Sequence, residues 1–74
     1  MEKWEYLFVT SDLEKSIWRP RFVNGIEIPD WKKGLNIPEY ANQLGEEGWE
    51  LVISTIVEAG SPYTYRYVFK RPRE

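Results

Sequence analysis

Neither cysteine nor histidine occurs anywhere in the 74 residues, so the chain must fold without a disulfide, a thiolate zinc site or an imidazole-bound metal, staples on which small domains often rely. A chain this short has room for one hydrophobic core and not two. The expectation is a single domain over residues 1–74, held by side-chain packing to which a second subunit can add. Aromatic residues suit that task. Four Trp, five Tyr and three Phe make up 16% of the chain, and each ring can bury a large apolar area.

The hydrophobic fraction of 42% and charged fraction of 30% are those of an ordinary globular domain and point away from disordered, collagen-like and membrane classes. A net charge of −2 gives no overall attraction for nucleic acid or anionic lipid. Met1 is followed by Glu2 and Lys3 rather than by a basic stretch and an apolar run, and no window approaches the length of a membrane helix. A cytoplasmic address without a signal peptide or membrane partner is therefore expected. The charge is uneven along the chain. Arg66, Lys70, Arg71 and Arg73 cluster at the end, with Glu39, Glu46, Glu47, Glu50 and Glu58 upstream, which suggests pairing within or between subunits before a basic binding edge.

Trp4 to Thr10 is short, aromatic and β-branched, and Ser11-Asp12 closes it, so it reads as a strand. Trp4, Tyr6 and Phe8 share one face and Leu7 and Val9 the other, the pattern of a strand covered on both sides. Arg21–Val23 and Ile26–Ile28 flank Asn24-Gly25, the dipeptide that most readily adopts a type I′ turn, so a hairpin is expected there. Pro20 and Pro29 confine it to short, edge-like pieces, and residues 29–34 read as a loop.

A helix follows, with Ile37, Tyr40, Ala41 and Leu44 forming one apolar stripe. Asn36 caps it, Pro38 fits its first turn, and Glu39 completes a capping box. Of the two glycines near its end, Gly48 is the better left-handed terminator, because it makes Leu44 and Trp49 the apolar pair of a Schellman ending. Gly45 would instead place Glu46 in that role. Trp49–Glu58 is apolar enough on both faces to be a central strand, and in Tyr63–Lys70 the rings of Tyr63, Tyr65, Tyr67 and Phe69 alternate with Thr64, Arg66, Val68 and Lys70. The fold class expected is α+β: a mainly antiparallel sheet of three long strands plus the short hairpin, one helix on one face, in the order β–ββ–α–β–β.

The start Trp4-Glu5-Tyr6, the centre from Leu44 to Val52 containing G-E-E-G-W-E-L-V, and the end Val68-Phe69-Lys70-Arg71-Pro72 together resemble the short bacterial family known as domain of unknown function 4177. Residues 11–36, the hairpin among them, look like an insertion relative to shorter members. The resemblance implies a compact α+β domain and brings no assigned activity, cofactor or catalytic residue.

Glu46, Glu47 and Glu50 are the densest carboxylate cluster. Without a partner base or other convergent oxygen ligands they read as a solvated helix end whose charges oppose the helix dipole, with Arg71 or Lys70 placed to offset them. The serines and threonines have no histidine to activate them. No catalytic residue, metal ligand or cofactor is therefore assigned, and an interaction domain is expected rather than an enzyme. One helix covers a sheet on one side only, so either the Phe22–Ile28 hairpin or a second subunit has to close the other. A homodimer is the expected partner arrangement, with Trp18, Trp31, Tyr63, Tyr65, Tyr67 and Phe69 as interface candidates. The rival is a single-stranded nucleic-acid module using Arg66, Lys70, Arg71 and Arg73. Nucleic acid is the less favoured partner, because strand alternation puts Arg66 and Lys70 opposite the tyrosines and the net charge is negative. A small-ligand cleft lined by aromatic rings is a third alternative.

Overall fold

The computed structural model describes residues 2–57 and 64–73, an α+β fold in which one α-helix packs on a five-stranded antiparallel sheet. In chain order the elements are β1 (Lys3–Glu14), β2 (Ile17–Val23), β3 (Ile26–Glu27), a 3₁₀ turn (Trp31–Lys33), α1 (Ile37–Glu46), β4 (Glu50–Val57) and β5 (Thr64–Arg73). Across the sheet the order is β3-β2-β1-β5-β4, so the first and last strands lie side by side in the middle. Glu58, Tyr63 and residues 59–62 between them, where the strand from Trp49 is expected to end, lie outside the described residues.

Two of the expected strand limits are corrected. β1 does not stop at Ser11-Asp12 but continues to Glu14, and β2 begins at Ile17 rather than at Arg21, so Trp18 and Pro20 stand within a strand. The turn between them is Lys15-Ser16, with φ of 51° and 68°, a left-handed pair built without glycine. Pro20 is tolerated because the ladder shifts register there, between Thr10 and Ser11 on the facing strand, and a bulge is one of the few places where a residue without an N–H fits a sheet. Trp49–Glu58 is also not central: β4 is an edge strand, bonded to β5 alone.

Asn24-Gly25 makes the expected tight turn, with φ of 51° and 84°. It is tied to β1 through Phe8, whose carbonyl accepts from the Asn24 amide at 2.8 Å and whose amide donates to Asn24 Oδ1 at 2.9 Å. The hairpin therefore widens the sheet and does not fold over its second face.

Asn36 and Glu39 make both halves of the capping box at the start of α1. At the other end Gly48 has φ 91°, the Trp49 amide donates to the Leu44 carbonyl at 3.0 Å, and the Gly48 amide donates to Gly45 at 3.0 Å. Those are the two bonds of a Schellman ending. The ending turns the chain so that Trp49 packs back against the core of Val9, Leu44 and Phe69, along with Leu7, Val23, Tyr40, Ala41 and Tyr67. Directly opposed residues in an antiparallel ladder share a face. The pairs Leu7–Phe69, Val9–Tyr67 and Ser11–Tyr65 are therefore the layer under the helix.

Candidate functional site

The other face of the sheet is built from the even-numbered residues of β1 and β5. Tyr6 opposes Lys70, Phe8 opposes Val68 and Thr10 opposes Arg66, and β4 adds Ile53 beside Val68 and Thr55 beside Arg66. Among the described residues nothing covers the centre of this face. Tyr6 is 51% exposed, Phe8 48% and Trp4 37%. Trp4, Tyr6 and Phe8 form a row of rings along β1, and the Lys70 ammonium sits 4.3 Å from the Trp4 ring centre. A shallow depression of about 700 Å³, bounded by Tyr6, Phe8, Thr10, Asn24, Gly25 and Arg66, runs along the row.

The β4 edge is exposed on both of its faces. From Leu51 to Val57 the strand carries no charge, glycine or proline, and Leu51, Val52, Ile53 and Ile56 are each half exposed or more. A ladder irregularity between Leu51 and Ile53 turns Val52 out of the regular alternation. Its outer row of backbone amides and carbonyls has no strand partner.

The interface candidates read from the sequence lie elsewhere. Phe69 is 4% exposed and forms part of the core, while Tyr65 and Tyr67 lie half-buried on the helix-covered face. Trp18 packs edge-on against Tyr65 with ring centres 4.7 Å apart. Trp31 is 9% exposed, and the Arg21 guanidinium lies 4.9 Å from its ring centre. These rings pack within one copy, and Phe69 and Trp31 present little surface to a partner. Arg21 also bonds Asp12 and Glu27, each at 2.8 Å, and the two carboxylates hold its charge still more firmly than usual. That cluster closes the β2 end of the sheet.

The basic residues divide between the two faces. Arg71 is committed to the fold: it donates to the Glu5 carboxylate at 2.5 Å and the Glu47 carbonyl at 2.9 Å, and lies 4.3 Å from the Trp49 ring centre. It reaches the helix end through the Glu47 backbone carbonyl and pairs with Glu5, not with a carboxylate of the Glu46, Glu47 and Glu50 cluster, so it is no longer a free nucleic-acid contact. Arg66 is exposed and Lys70 half-buried on the open face, where they stand among Trp4, Tyr6 and Phe8 rather than among Tyr65 and Tyr67. Arg73 is exposed at the end of β5. Glu46, Glu47 and Glu50 do not converge, and no group of three or more potential metal ligands forms among the described residues. Tyr40, packed beside the core, has its hydroxyl pKa raised above the ordinary 10, first by burial and then by the nearby Glu47 charge.

Alternation along β1 already showed that Trp4, Tyr6 and Phe8 share a face. Only the pairing of β1 with β5, a contact between the two ends of the chain, sets them beside Arg66 and Lys70. No helix of the described residues is long and apolar enough to cross a membrane. Compared with protein-family models, curated proteins and solved structures, the chain matches none.

Proposed function

We propose that this is a cytoplasmic, non-enzymatic interaction domain that self-associates, with β4 pairing antiparallel to β4 of a second copy. The observation that carries this is the edge strand itself, uncharged from Leu51 to Val57 and apolar on both sides. Monomeric proteins usually blunt such an edge with lysine, proline or a covering segment, because its unpaired backbone groups invite another strand. A two-fold axis through Thr55 sets Ile53 opposite the partner's Val57 and Ser54 opposite the partner's Ile56.

Pairing through β4 satisfies the unpaired backbone groups of that edge and sets its aliphatic side chains beside those of the partner strand.

Light scattering across micromolar concentrations at low and moderate salt tests the proposal. A dimer whose mass does not change with salt is expected, since an aliphatic, backbone-bonded interface is not screened. A monomer throughout would overturn it.

A further inference from the structure

We infer that the open face is a platform for single-stranded nucleic acid, with Trp4, Tyr6 and Phe8 as stacking surfaces and Arg66 and Lys70 as phosphate contacts. Rings at every second residue of a strand recur about 6.7 Å apart. That is roughly twice the 3.4 Å repeat of a stacked nucleic-acid strand, so each ring meets a different base when the strand is splayed open. Sheet faces with exposed rings bind single strands in this way, and every base offers a π-face to them.

Charge complementarity favours this occupant over a second copy. Arg66 makes no ion pair among the described residues, and Lys70 projects over Trp4. Of the carboxylates on this face, Glu50 stands opposite Lys70 at the sheet margin, while Asp12 and Glu27, beyond Thr10, are both paired with Arg21. Stacking two copies face to face would bring two arginines and two lysines into one desolvated layer, which like-charge repulsion and lost hydration oppose. A phosphodiester backbone neutralises the same groups. Thr10 and Asn24 at the rim of the depression add hydrogen-bonding groups beside the rings. The platform lies within one copy, so it stands or falls separately from β4 pairing.

The test is a titration of the full chain with an oligothymidylate of about twelve nucleotides, read by tryptophan fluorescence at several salt concentrations, with solution mass measured alongside. Saturable quenching is expected, and log K should fall with log salt at a slope near −1.4, about 0.7 for each of two phosphates. Tyr6→Leu with Phe8→Leu should weaken binding at least tenfold while the melting transition and solution mass stay put. Arg66→Gln should reduce the slope by about 0.7. No saturable change at low salt would overturn the inference, as would a Tyr6/Phe8 variant that binds like the parent. Concentration-dependent quenching without oligonucleotide, lost in that same variant, would assign the face to a second copy and overturn it equally.

Discussion

The guanidinium of Arg71 lies 4.3 Å from the ring centre of Trp49, so the last strand grips the residue that ends the helix. The same side chain donates to the Glu47 carbonyl and to the Glu5 carboxylate, which joins β5, the C-terminus of α1 and the start of β1 at one point. A cation at a helix C-terminus and a cation over a tryptophan each contribute about 0.5–1 kcal/mol where water has access. The ion pair adds little, because both partners are more than a third exposed. Arg71→Leu should therefore lower stability by about 1 kcal/mol in urea unfolding. Arg71→Lys should recover only part of this, since an ammonium lacks the planar fork that reaches both oxygens while stacking. Full recovery by lysine would show that charge alone matters.

Gly48 and Gly45 predict effects of opposite sign. A Cβ added at either position meets no atom within 4 Å, so packing does not enter. Gly48 has φ 91°, where an alanine is strained by about 1 kcal/mol or more. Gly45 lies inside the helix, where alanine is favoured over glycine by about 1 kcal/mol. Gly48→Ala should lower the melting temperature by roughly 4–8 °C and Gly45→Ala should raise it by a similar amount. The same sign for both would contradict the helix ending described.

Ile56 is 57% exposed on β4, so a charge there disturbs a dimer more than a monomer. Ile56→Lys should convert the dimer to monomer in light scattering and leave the circular dichroism spectrum of the fold unchanged. An unchanged mass would place any self-association away from this edge.

The raised pKa of Tyr40 makes a statement about alkaline stability. Because the hydroxyl holds its proton more tightly in the fold than the ordinary 10, the unfolded chain ionises first as pH rises. The stabilisation is fully present below pH 10 and is lost as pH climbs from 10 through the folded value. Tyr40→Phe should flatten the fall in urea midpoint above pH 10 relative to the parent. Identical slopes would mean that other tyrosines dominate.

Local chemistry made the helix legible from residue types alone. Asn36, Glu39, Leu44, Gly48 and Trp49 each bond with neighbours a few positions away, and Asn24-Gly25 is equally local. The Lys15-Ser16 turn was not legible, because neither residue favours positive φ and only the flanking pairing of β1 with β2 imposes it. That error shortened β1 and left Trp18 outside a strand. The open face failed for a different reason. Parity separated Arg66 and Lys70 from Tyr65 and Tyr67 correctly, but which aromatic row they would join depends on a ladder between residues 3–11 and 65–73. No local pattern encodes that choice. The same missing ladder made the apolar β4 look central, when the strand lies at the edge.

The central pairing of β1 with β5 has a consequence for how the chain acquires its shape during synthesis. β1, β2 and β3 can zip together as soon as they leave the ribosome, since each turn between them spans two residues. β4 cannot join them then, because β5 is its sole bridge to the rest of the sheet. Until the ten residues of β5 emerge, the Leu51–Val57 strand and the underside of α1 lack their main partner. Closure of the domain is then a late event governed by contacts of high sequence separation, the class that folds slowly. A nascent chain stalled before Thr64 would present its stickiest strand to its neighbours.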